Sequence, residues 1–126
     1  MSEWRQRACV GALLLALTAC GREPGAETPP LALRVESAGA DTRLLLLAAP
    51  GWKINARLKP ALEIPNGDVV RFDAVRLTPD SAYFADVPSA TIPGRVRAVS
   101  GTLRASVCAP EERVCRAVAM TVRSER

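Results

Sequence analysis

The chain contains no histidine, and only five of its 126 residues are aromatic. Without histidine there is no Ser-His or Cys-His catalytic unit, no histidine-ligated zinc and no side chain with an ordinary titration near neutral pH. Chemistry is left to thiols, carboxylates and backbone. The net charge of +4 comes from 17 Lys and Arg against 13 Asp and Glu, and fifteen of those cations are arginines spread singly along the chain. Binding nucleic acid by counterion release needs clustered cations, usually with stacking aromatics, so that class is set aside. The apolar run at 8–17 is about half as long as a bilayer-spanning helix requires.

What is present begins with an address. Residues 1–19 place Arg5 and Arg7 before the apolar run and small residues after it, the three-part pattern of a secretory signal. Leu17-Thr18-Ala19-Cys20, followed by Gly21, resembles the lipobox of bacterial lipoproteins. That resemblance implies cleavage before Cys20, acylation of its sulfur and amine, and loss of Cys9 with the signal. Several acyl chains on one residue give stable attachment without spanning. Gly21 in place of Asp favours sorting to the outer membrane, with the domain facing the periplasm. Residues 20–30 are rich in Pro and Gly and have no apolar period, as expected of a flexible tether.

Residues 31–126 read as one all-β domain. Short apolar or alternating stretches at 31–35, 43–49, 53–58, 61–64, 69–77, 82–84, 96–99, 102–108 and 114–122 are separated by turn signals about ten residues apart, as in a sandwich or barrel. In 102–108, Leu103, Ala105 and Val107 share one face, and Cys108 falls on the more polar one. Val118, Met120 and Val122 give the facing strand its apolar side. The four leucines at 44–47 suit a strand buried on both faces.

After export and lipidation two thiols remain, Cys108 and Cys115, with six residues between them at the tip of this hairpin. An oxidising compartment and adjacent antiparallel strands predict that they are paired. The pair admits an inert staple or an exchanging dithiol, the second favoured by its position at a hairpin tip and by Arg113 and Arg116, which could stabilise a thiolate against the opposing Glu111 and Glu112. Zinc is a poor third, because two thiolates leave the tetrahedral shell short; no metal or other cofactor is expected.

Asp68, Asp73, Asp80 and Asp86 show no calcium-loop or glycosidase spacing and read as solvated turn residues. Ser81, Ser100 and Ser106 have only Lys53 or Lys59 as a conceivable base and no nucleophile elbow. Trp52 and Tyr83 read as sandwich core.

Gly51-Trp52-Lys53-Ile54-Asn55, Lys59-Pro60-Ala61-Leu62-Glu63-Ile64, Val87-Pro88, Pro93-Gly94, and the stretch from Ser100 to Cys108 with Val114-Cys115 are similar to the N-terminal periplasmic domain of the thiol:disulfide interchange protein DsbD. The similarity runs over roughly 31–122. It implies an immunoglobulin-like antiparallel β-sandwich whose hairpin cysteines accept reducing equivalents and pass them to oxidised periplasmic proteins. By the same resemblance Cys108 is the first redox cysteine and Cys115 the second, the one that forms the mixed disulfide. Tyr83 and Phe84 are the candidates for the aromatic cap that shields the pair. The expected partners are periplasmic thiol or disulfide proteins, such as a thioredoxin-like donor or a client. The competing expectation is a non-enzymatic binding or scaffolding lipoprotein with a structural disulfide, since fold alone does not convert into function.

Overall fold

Alternation of apolar and polar residues with period two sets the strands, because successive side chains of a strand leave opposite faces. The computed structural model describes residues 29–111 and 114–126; the signal at 1–19, the lipidation site Cys20 and the tether as far as residue 28 lie outside the described residues. Eight strands follow in order: β1 (Leu31–Ala38), β2 (Asp41–Ala48), β3 (Lys53–Ile54), β4 (Ala61–Glu63), β5 (Val69–Arg71), β6 (Ser89–Ile92), β7 (Ala98–Cys108) and β8 (Cys115–Glu125). They form two antiparallel sheets: β1, β2 and β6 in one, and β3, β4, β5, β7 and β8 in the other. This is the all-β sandwich that the turn spacing predicts.

The two sheets share one apolar core. Leu31, Val35, Leu44 and Leu46 from the smaller sheet meet Ile54, Leu62, Val99, Leu103, Val107 and Val122 from the larger, with Phe72 fully buried between them. The leucine run needs correction: Leu44 and Leu46 are buried, whereas Leu45 and Leu47 are half-buried on the outer face. β2 is the middle strand of a sheet covered on one side only, so its period is two. Strand β6 was not legible in the sequence. Its four residues, between Pro88 and Pro93, carry little apolar signal and become a strand by pairing with β2.

Turns set the register. Gly39, with φ +65°, takes the first central place of a two-residue hairpin loop in which Ala38 pairs with Asp41. Between β4 and β5, the Gly67 amide donates to Ile64 O and the Ile64 amide to Asp68 O, while Gly67 holds φ +94°, the turn-plus-bulge form of a three-residue loop. Pro50 and Gly51 make a tight turn closed by the Trp52 amide donating to Ala49 O. Gly51 has the φ of +79° that the second central position of a type II turn requires.

This last turn lies at the end of the sandwich where the N-terminal segment enters. Pro30 O accepts from the Ala49 amide, and a Cβ on Gly51 would meet Pro110 just beyond Cys108. The start of β1 and the tip of the β7–β8 hairpin therefore share one end of the molecule.

Candidate functional site: the disulfide at the hairpin tip

Strands β7 and β8 pair without interruption from Ala98 opposite Glu125 to Cys108 opposite Cys115. The cysteines form the last rung, with Cα atoms 4.1 Å apart, and are joined by a disulfide. The pairing expected from the sequence is therefore present. Leu103, Ala105 and Val107 are buried on the inner face as predicted, and the alternation turns Cys108 outward. Facing outward does not expose it: Cys108 is only 3% exposed, whereas Cys115 is half-buried. The two cysteines thus differ in exposure. The loop between them includes Glu112 and Arg113, which lie outside the described residues.

Two segments distant in sequence flank the disulfide. The first is Gly51 to Asn55. Gly51 packs against Pro110, Ile54 enters the core, Lys53 is the register partner of Cys108, and the Asn55 amide donates to Ser106 O. Asn55 Oδ1 then accepts from the Arg57 amide at 2.8 Å, bending the chain away from the sheet. The motif noted in the sequence thus forms the short strand that flanks the disulfide on the side opposite β8.

The second segment runs from Arg76 to Asp86 as a narrow excursion. Arg76 grips Asp86 through two guanidinium nitrogens, at 2.6–3.1 Å. Above that base the Ala85 amide donates to Arg76 O and the Thr78 amide to Tyr83 O. At the tip, Asp80 Oδ1 accepts from the Thr78 hydroxyl at 2.6 Å and the Ala82 amide at 3.1 Å, while Thr78 Oγ1 accepts from the Tyr83 amide at 3.2 Å. Ser81 sits at φ +58°, a left-handed conformation uncommon outside glycine. The excursion docks on β3, where the Ala56 amide donates to Ala82 O and the Phe84 amide to Ile54 O.

This docking decides where the aromatic residues go. Tyr83 is not core: its hydroxyl lies 4.0 Å from Cys115 Sγ, and its ring lies under Lys53 Nζ, 5.1 Å from the ring centroid. Phe84, its neighbour, turns the other way and packs against the core, beside Trp52, Ile54 and Pro88 in a groove of about 260 Å³. Of the two candidate shielding residues, the structure brings Tyr83 to the cysteines and places Phe84 inside. Trp52 is half-buried against the core, as expected.

The cations differ from expectation. Arg116 is paired with inward-facing Val107, and its guanidinium stacks 5.0 Å from the Trp52 ring centroid, on the other side of the strand from the cysteine side chains. Lys53 occupies the place beside Cys108 instead. Nothing in the sequence indicated this, because the β3–β7 pairing joins segments more than fifty residues apart.

The carboxylates behave as turn and ion-pair residues. Asp73, 2.5 Å from Lys59 Nζ, is held below its ordinary pKa first by that hydrogen bond and then by the Ala74 amide. The Arg76 hydrogen bonds lower the pKa of Asp86, and the Thr78 hydroxyl followed by the Ala82 amide lowers that of Asp80. Asp68 accepts from Asn66 in the β4–β5 turn. Ser81 lies in the excursion turn, and Ser100 and Ser106 lie along β7. Among the described residues no group of three His, Cys, Asp or Glu side chains gathers as a metal site. Likewise, no helix among them is long and apolar enough to cross a membrane.

In comparisons with known proteins, no family model, curated protein or solved structure matches the chain.

Proposed function

We propose that this protein is a thiol:disulfide exchange domain of the bacterial envelope, related to the N-terminal domain of DsbD and held to a membrane through lipidated Cys20. The observation that carries the reading is the unequal exposure of the two bonded cysteines at one end of the sandwich. Cys115 is half-buried beside a tyrosine hydroxyl and Cys108 is enclosed. An incoming thiolate reaches Cys115 more readily, which agrees with the role that the resemblance gives it.

The exchange balances as follows. A thiolate of a reduced partner dithiol attacks Cys115 Sγ; the Cys108–Cys115 bond breaks and Cys108 leaves as a thiolate that takes up a proton. The partner's second thiolate then attacks the mixed disulfide and expels Cys115, which is protonated in turn. The partner becomes a disulfide, and the pair has gained two electrons and two protons. The reverse sequence reduces a client. The chain enters the sandwich at the disulfide end, so a lipid on Cys20 would tether the domain from that end, with the outer membrane favoured by Gly21.

The enclosure of Cys108 favours a second reading, a binding or scaffolding lipoprotein in which the bond is a staple. The reduction potential of the pair separates the two. Equilibrated across dithiol buffers and read by peptide-resolved alkylation, an exchanging pair lies between about −270 and −180 mV, and a value below about −300 mV identifies a structural disulfide. In addition, Cys108→Ser leaves Cys115 without its resolving partner. A mixed disulfide between this variant and a defined thioredoxin-like protein, outlasting that of the unaltered chain, is the expected result.

A further inference from the structure

We propose that Lys53 sets the redox poise of the Cys108–Cys115 pair by placing a positive charge beside the sulfur that becomes a thiolate on reduction. The biological meaning of this role rests on the exchange reading; the charge effect itself can be measured on any reducible pair.

Three observations converge on Lys53. It is the direct register partner of Cys108, and side chains at directly opposed positions have Cβ atoms only about 4.5–5.5 Å apart on one face of the sheet. Cys108 is therefore flanked across the sheet by Lys53 on one side and Cys115 on the other. Next, the ammonium does not extend freely into solvent: Nζ rests 5.1 Å from the centroid of the Tyr83 ring, and the hydroxyl of that ring is 4.0 Å from Cys115 Sγ. The cation is thus held on the side of the sheet where the sulfurs lie. Finally, four other cations among the described residues are committed elsewhere. Arg116 stacks on Trp52, Lys59 pairs with Asp73, Arg76 with Asp86, and Arg57 reaches Asp80 O at 3.4 Å. Among the described residues no carboxylate forms an ion pair with Lys53.

A disulfide is neutral and its reduced form is partly anionic, so a fixed cation stabilises the reduced state and makes the pair a stronger oxidant. The Tyr83 hydroxyl lies on the other sulfur of the pair, 4.0 Å from Cys115 Sγ. Lys53 touches no reacting atom in the disulfide form and is a positioning residue for charge.

The test compares the full chain with Lys53→Met and Lys53→Arg, at mildly alkaline pH where thiolate is populated. Lys53 is exposed and both variants keep the aliphatic stem, so the fold is retained. Lys53→Met is expected to shift the dithiol–disulfide equilibrium roughly threefold toward the disulfide, about 14 mV more negative at 29.6 mV per tenfold. Lys53→Arg is expected to match the unaltered chain, and added salt should shrink the Met shift, because a charge near the surface is screened. An unshifted Met variant, an Arg variant that moves as far as Met, or a Met shift unchanged by salt would each overturn the proposal. The absolute potential of the unaltered chain judges the exchange reading separately. A value below about −300 mV removes exchange while the difference between variants still decides the role of Lys53.

Discussion

Thr42 is the one buried polar side chain among the described core residues, and its hydroxyl both donates and accepts. It donates to Gly94 O at 2.7 Å and accepts from the Val96 amide at 2.8 Å, tying β2 to the turn that leads into β7. Thr42→Val preserves the shape but leaves both backbone groups unpaired, a loss of about 1–3 kcal/mol expected in urea unfolding. Gly101 shows a different constraint: a Cβ there would overlap the backbone carbonyl of Glu63, where β4 meets β7. Because that obstacle is backbone in a paired strand, Gly101→Ala must move β4 or β7. The same assay should show a cost of about 1–3 kcal/mol. Glycine in Ser-Gly-Thr reads as a turn signal in the sequence; the structure places it inside a strand.

The Arg76–Asp86 excursion is the element that carries Tyr83 to the disulfide; Phe84 packs it on the core, and the exposed Arg76–Asp86 pair fastens its base. Asp86→Asn weakens the charged grip at its base. Amide exchange at Thr78 and Ala85 is expected to quicken, while amides in the middle of β7 keep their protection. Acidification should act in the same direction. Asp73, Asp80 and Asp86 all have pKa values lowered in the fold. Their contribution is present above the ordinary carboxylate pKa of about 3.9 and is lost as pH falls below it toward the depressed folded values. Since these groups are exposed, the effect on global unfolding is small, and exchange rates in the excursion are the more sensitive readout. Retention of exchange protection at Ala85 through that range would count against the ion pair as the fastening.

The molecule as a whole is a sandwich with a full apolar core, and the disulfide closes only a short loop at one end. The loop-entropy estimate for such a closure is about 2–3 kcal/mol. Reduction should therefore lower the unfolding free energy measured in urea by an amount in that range and leave the chain folded, with the far-ultraviolet β signal retained. Unfolding on reduction would favour the staple over the exchanging pair. Gathering at that same end are the start of β1, the Pro50–Gly51 turn, Trp52, Lys53 and Tyr83, so the residues that distinguish the site come from four separate parts of the chain.

The sequence alone identified the β class, the inward faces of β7 and β8 and the disulfide, because each depends on local alternation or on partners within one hairpin. Val118, Met120 and Val122 point inward for the same reason that Leu103, Ala105 and Val107 do. The burial of Cys108, the outward place of Tyr83, the diversion of Arg116 to Trp52 and the arrival of Lys53 beside Cys108 were decided by tertiary structure. Each requires two segments far apart in sequence to meet. The pairing of β3 with β7 and the docking of the excursion on β3 are long-range backbone contacts, and no periodicity within either segment encodes them.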